Sequence, residues 1–230
     1  MNNTLTYPTR TEPAMPYERL LPAGNLRILV ACEFTGLVRD AFTRLGHDAT
    51  SCDLLPTETP GKHYQGNVFD IINDGWDLMI GHPPCTYISY AATRYWNQPG
   101  RAEKRIKALD FFLKLWEAPI EHICLENPIG VADAVITKHD QIIHPYYFGD
   151  KYLKRTCLWL KNLPKLQYTM NDGLFGQRTA TDYPEPMYVD KNGKKRHFTE
   201  GNHGGHERSR SFPGIANAMA EQWTAALACR

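Results

Sequence analysis

The chain has 230 residues, 42% of them hydrophobic and 22% charged, and a formal net charge of +1. This suits a single globular domain with a sizeable core, and the near-neutral sum neither requires nor excludes a nucleic-acid partner. No apolar run is long enough to span a bilayer, the N-terminus lacks the blocks of a secretory signal, and the six cysteines form no C-x-x-C pair that would suggest structural zinc. A cytoplasmic protein with reduced, mostly core-packed thiols is expected.

Residues 1–25 are polar, contain four prolines and read as an extended arm. Leu26 to Cys32 is a short apolar run with β-branched members, which predicts a buried strand. Glu33 to Leu37 is a turn. Val38 to Leu45 has helical spacing and Gly46 ends it. Ala49 to Asp53 is a second strand closing on a carboxylate. Strand, turn, helix and strand make a βαβ unit, the start of a doubly wound sheet. Leu54 to Gln65 reads as a Pro- and Gly-containing connection. Asp77 to Ile80 ends a buried strand. Gly81 and His82 leave it, and Pro83 and Pro84 stiffen the loop by fixing φ and removing N–H donors. Cys85 follows directly.

Ala91 to Gly100 is polar and aromatic and reads as a mobile connection. Arg101 to Trp116 is the strongest helix, with Ile106, Leu109, Leu113 and Trp116 on one face. His122 to Glu126 is another buried strand, terminated by Asn127-Pro128. Val131 to Ile143 is expected as a short helix, and Lys154 to Leu160 and Lys165 to Thr169 as strands. Residues 171–210 lose apolar periodicity and form a long irregular insert. After Phe212-Pro-Gly the chain closes on an amphipathic helix to Leu227. The domains expected are therefore the arm 1–25, a core 26–170, the insert 171–210 and a returning helix 211–230. The fold class is α/β, with a Rossmann-like, doubly wound, mostly parallel sheet.

In such sheets ligands sit beyond the carboxyl ends of the strands. Phe34, Thr35, Gly36, Asp53, Asn67 to Asp70, Cys85, Glu126 and Asn127 all lie at or near such ends. Singly, each has a bland reading. Gly36 serves a tight turn, Asp53 caps a helix or accepts a ribose diol, and Glu126 caps a turn or is a buried acid kept protonated. Cys85 is either a small packed thiol or a nucleophile on a stiff loop. The stretch 191–210 carries Lys191, Lys194, Lys195, Arg196, Arg208 and Arg210 against Glu200 and Glu207 only. It is a solvated face or a nucleic-acid surface. His197, His203 and His206 in the same stretch lack flanking cysteines, which argues against a metal site.

Taken together, the motifs resemble the DNA cytosine-C5 methyltransferase family. Pro83-Pro84-Cys85, with Glu126-Asn127-Pro128 some forty residues later, is similar to its Pro-Cys loop and Glu-Asn-Val turn. Ile28 to Gly36 resembles its Phe-x-Gly cofactor loop, Asp53 its second-strand acid, and Gly66-Asn67 its Gly-Asp turn. Lys154-Arg155-Thr156 stands where its Gln-x-Arg-x-Arg strand belongs, and Phe212 to Ala220 resembles its C-terminal Gly-Asn helix. The compact form looks most like small bacteriophage-type members. The sequence departs from the pattern at His82 (usually a small residue), Thr86 (Gln), Asn67 (Asp) and Pro128 (Val). The insert is short for a target-recognition domain, which implies limited sequence specificity.

The resemblance implies methyl transfer from S-adenosylmethionine to cytosine C5 in DNA, through a covalent Cys85 adduct on a flipped base. Catalytic roles fall to Cys85, Glu126 and Arg155, with Glu126 protonated against the base. Cofactor contacts fall to Phe34, Thr35, Gly36, Asp53, Asn67 and Pro83. Substrate contacts fall to Asn127, Lys154, Lys194, Lys195, Arg196, Arg208 and Arg210. The alternatives are pyrimidine alkylation on RNA or a free nucleotide, and a catalytically silent DNA-binding descendant.

Overall fold

The computed structural model describes residues 25–167, 184–186, 188–196 and 210–228. In chain order these form β1 (Arg27–Ala31), α1 (Leu37–Arg44), β2 (Asp48–Asp53), β3 (His63–Gln65), β4 (Leu78–Gly81), α2 (Arg101–Trp116), β5 (His122–Asn127), α3 (Ala132–Val135), β6 (Gln141–Ile143), β7 (Thr156–Lys161), β8 (Tyr188–Val189), β9 (Lys195–Arg196) and α4 (Pro213–Ala228). The first seven strands make one sheet in the order β3-β2-β1-β4-β5-β7-β6. All pairings are parallel except those of β7, which runs antiparallel to β5 and β6. This is the doubly wound, mostly parallel α/β sheet expected, with its switch point between β1 and β4.

The two faces of the sheet follow from strand alternation. Ile28, Val30, Leu78, Ile80, Cys124 and Leu158 face α1 and α4, where Phe42, Met219 and Trp223 are fully buried. Leu29, Met79, Ile123, Leu125 and Trp159 face α2 and meet Phe112 and Leu115. Each such large side chain contributes about 1.5–3 kcal/mol by leaving water. Trp223 also donates Nε1–H to the Pro164 carbonyl at 3.0 Å, and Thr224 and His47 share a 2.7 Å hydrogen bond, so α4 is bolted to both flanks of the sheet. Among the described residues no helix is long and apolar enough to cross a membrane.

Several expectations are corrected. The α2 stripe is centred on Phe112 and Leu115, and Ile106 is 67% exposed. The helix expected over 131–143 is a single turn, Ala132–Val135, followed by β6. Asp133 takes the His139 backbone N–H at 2.9 Å and its ring at 2.8 Å, which fixes the turn-out of the chain. Residues 165–167 are not a strand, and 168–169 lie outside the described residues. The connection 54–65 ends in the edge strand β3. Within the insert, 188–196 closes as the hairpin β8–β9.

Candidate active site

Register places four side chains in one row. Ala31 pairs with Cys52 and with Gly81, and Gly81 pairs with Leu125. The next residue of each strand is therefore Asp53, Cys32, His82 or Glu126, at the carboxyl edge of β2, β1, β4 and β5. All four have the parity of the face that α4 covers. Gly214 donates its N–H to Asp150 at 2.9 Å, which fixes the start of α4 and sets Ser211 and Phe212 against this row. Cys32 has φ +60, a left-handed conformation in a non-glycine residue, which costs about 1–3 kcal/mol and marks the switch point as strained.

His82 and Glu126 form a largely but not fully buried pair, with Nδ1 to Oε2 at 3.1 Å. Lys154 Nζ stands 3.9 Å from the other carboxylate oxygen. Burial alone would raise the Glu126 pKa, but the His82 hydrogen bond and the Lys154 charge prevail and hold it down to about 2. Burial alone would lower His82, but the hydrogen bond and charge of Glu126 raise it above its ordinary value. In the free protein Glu126 is thus held as a carboxylate, not the protonated acid expected, with His82 beside it favoured in its protonated form.

The expected placement of Arg155 beside the base is also corrected. Arg155 is exposed and lies near His144, whose pKa is lowered by burial and then by the Arg155 charge. Lys154 takes the inward position. Leu158 pairs with Glu126 in the sheet, and alternation carried back from Leu158 through Thr156 reaches Lys154. That parity was the available signal.

Cys85 is an exposed thiol on a loop stitched to the Glu126 turn. Asn127, itself buried, donates Nδ2–H to the Pro83 carbonyl at 2.6 Å. Val131 N–H donates to Ile88 O at 2.9 Å and Tyr90 N–H to Ile129 O at 3.1 Å. Ser89 N–H turns back to the Cys85 carbonyl at 3.0 Å. The two backbones approach so closely at Gly130 that a Cβ there would overlap the Ile88 carbonyl. Gly130→Ala is therefore expected to cost about 1–3 kcal/mol, as overpacking does, seen as a lowered melting temperature; an unchanged melting curve would refute the stitching.

On the other side of the row, the Glu33 carboxylate accepts the backbone N–H groups of Val38 at 2.7 Å and Arg39 at 3.2 Å and so caps α1. The sequence reading missed this role. Thr35 is buried and shares a 3.3 Å hydrogen bond with Glu33. Gly36 has φ +77, and a Cβ there would overlap the Thr59 hydroxyl and the Arg39 guanidinium, so the glycine admits the 57–61 segment over the loop. Phe34 is buried and accepts Glu58 N–H on its carbonyl at 2.8 Å. Asp53 accepts the Leu55 N–H at 2.9 Å, and Asn67 Oδ1 accepts the Phe69 N–H at 3.2 Å. A small pocket is lined by Cys32, Glu33, Phe34, Thr35, His82 and Ser211. A larger hollow bordered by Asn25, His47, Asp48 and Lys62 opens at the amino end of β2, the wrong end of the sheet for a ligand.

The connection after Cys85 is ordered by a cluster that sequence reasoning missed. Arg101 lies over the Tyr87 ring at 4.9 Å and donates to Thr86 O at 3.0 Å; Arg105 lies over Trp96 at 4.1 Å and donates to Tyr87 O at 3.3 Å. Cations at a helix N-terminus oppose the macrodipole, so Arg101, Lys104 and Arg105 opening α2 were a clue that aromatic faces would meet them. Arg94, Tyr90 and Tyr95 remain exposed beside the thiol loop.

In the insert, Lys191, Lys194 and Lys195 are exposed on or beside the β8–β9 hairpin. Arg196 ends β9, while Arg208, His197, His203 and His206 lie outside the described residues. Arg210 is not a free cation for a phosphate; it pairs with Glu58 at 2.8 Å and ties the end of the insert to the segment over the Phe34 loop.

No protein-family model and no curated protein matches the sequence. Among solved structures, the chain is similar to the Entamoeba histolytica methyltransferase EhMeth, at 12% identity and a TM-score of 0.42, over 69% of this chain and 57% of that one. The chain thus spans less than two thirds of the length of that protein.

Proposed function

We propose that the chain transfers a methyl group from S-adenosylmethionine to C5 of cytosine in DNA. The observation that carries this reading is the joining of an exposed thiol loop to a buried acid turn through Asn127 and Pro83, at the switch point of the sheet. A binder has no need of that assembly.

The residues present fit the cofactor. Asp53 offers a carboxylate to ribose hydroxyls, Phe34 a ring to the adenine, and the exposed Asn67 an amide to the base edge. His82, whose buried Nε2 has no partner among the described residues, lines a pocket with Glu33, Thr35 and Ser211. It suits a polar amino-acid moiety. When bound, S-adenosylmethionine supplies an electrophilic methyl.

The residues of this chain activate the base. Cytosine C5 is a weak nucleophile. Addition of the Cys85 thiolate at C6 turns the ring into an enamine-like species, and Glu126 holds N3 as charge develops there. Loss of the C5 proton to solvent water, with departure of the Cys85 thiolate from C6, restores the ring. Asn127 fixes the distance between the two loops, and Lys154 lies beside Glu126 where a base carbonyl or phosphate would enter. A base within a duplex reaches this site only by flipping, at a cost of a few kcal/mol. The exposed cations of the hairpin and the Arg94–Tyr95 surface suit the backbone and the unstacked neighbours.

Mass analysis of nucleosides tests the reading. Duplex DNA, tRNA and dCMP are incubated with protein and cofactor, and 5-methylcytosine is expected from the duplex. Product only from tRNA or dCMP would replace DNA as substrate, and product from none would overturn methyl transfer.

A further inference from the structure

The proposed chemistry asks Glu126 to donate a hydrogen bond to cytosine N3, and a carboxylate has no proton to give. We infer that His82 is the proton donor to Glu126, so that the pair, and not the carboxyl alone, is the acid of the site. This rests on the methyltransferase reading for its substrate, but the pair itself is a property of the free protein.

The geometry is particular to this chain. Residue 82 adjoins residue 126 because Gly81 pairs with Leu125, and the two side chains rise from the same face. Nδ1 points at Oε2 at 3.1 Å. His82 lines the cofactor-side pocket, and its Nε2 meets no partner among the described residues. The charged and titratable groups around the ring come from each neighbouring element. Glu126 is on β5, Lys154 precedes β7, and Cys32 and Glu33 follow β1, while α4 is preceded by the neutral Ser211. Glu33 is committed to the N-terminus of α1, and Lys154 reaches no closer than 3.9 Å. Among the described residues, His82 alone stands within hydrogen-bond reach of Glu126 with a proton to transfer.

The step balances. In the free protein the imidazolium donates Nδ1–H to the carboxylate. As the pyrimidine enters, the proton passes to the carboxyl group, leaving neutral imidazole and a carboxylic acid. Rotation about the last side-chain torsion, which is broad and soft, turns the O–H to N3. When Cys85 adds to C6, the electron pair displaced onto the N3–C4 side of the ring takes that proton. When the thiol leaves, N3 returns the proton to the carboxylate, and the imidazole recovers it as the product departs. No outside oxidant or reductant is needed.

The test uses full-length protein with isotopically labelled histidine. An NMR titration is expected to show one imidazole, assigned by its loss in His82→Asn, that stays protonated above pH 6.5. It should titrate lower in Glu126→Gln. His82→Asn keeps an amide near the Nδ1 position but has no proton to pass on, so transfer at saturating S-adenosylmethionine should fall about a hundredfold. The alkaline limb that His82 gives the wild-type rate should vanish. A His82 that is neutral at pH 6.5 and indifferent to Glu126→Gln overturns the inference. If His82→Asn does not fold, the wild-type spectrum compared with Glu126→Gln decides alone. If the titration is as expected but no pyrimidine is methylated, the methyltransferase reading fails and the proton-sharing pair stands.

Discussion

Cys85→Ser is expected to abolish methyl transfer, by about a thousandfold or more, because the reaction then loses its covalent step. The fold should not notice. Cys85 is exposed, and its loop is held by backbone bonds and by Asn127. Cofactor affinity should also persist, since Phe34, Asp53 and Asn67 belong to other loops. The other described thiols are poor substitutes. Burial pushes Cys52 up to about 11 and Cys157 up to about 12, with nearby carboxylates adding to it, and raises Cys32 and Cys124 as well. A thiol so raised stays protonated and inert. The cleanest measurement uses DNA carrying 5-fluorocytosine, whose C5 substituent cannot leave as a cation. Wild type should form an adduct that survives denaturation, and Cys85→Ser should form none. Transfer at the wild-type rate by Cys85→Ser would end the covalent mechanism.

The strands that carry this site were legible because each is a short apolar run ending in a turn signal. Leu26–Cys32, Ala49–Asp53, Asp77–Ile80 and His122–Glu126 match β1, β2, β4 and β5 to within one or two residues. The unread strands lacked that contrast. β3 is His-Tyr-Gln at an edge, where neither side chain alternation nor apolar content is demanded. β6 is Gln-Ile-Ile, and its isoleucines continue the spacing of Ala132–Val135, so the pattern reads as one helix. The candidate residues could be picked out one by one but not pair by pair. His82 looked like a departure and Glu126 like a lone acid, because the register joining them is a long-range fact that no local pattern encodes. The choice between Lys154 and Arg155 turned on one step of strand parity, which displaces every side chain to the opposite face.

Glu126→Gln carries the second large effect, and its pH dependence separates catalysis from stability. The amide can still hydrogen-bond N3 but cannot give up a proton as charge develops there. The transfer rate is expected to fall about a hundredfold or more, with little change in cofactor affinity. The stability signs follow from the two shifts. Glu126 is depressed in the fold, from 4.5 to about 2, so its contribution is present above pH 4.5 and is lost as pH falls toward 2. His82 is raised above 6.5, so its contribution is present below that value and is lost as pH rises through the folded pKa. The pair therefore stabilises most between these limits. Melting temperatures should show Glu126→Gln below wild type at pH 5–6, with the gap narrowing below pH 4.5 and closing only as pH falls toward 2, where the folded wild-type carboxylate is protonated. A gap that is constant with pH would mean that the substitution disturbs packing and not an ion pair. A rate within about threefold of wild type would remove Glu126 from the mechanism, because a buried acid that can be neutralised at no cost to turnover is not the group that meets N3.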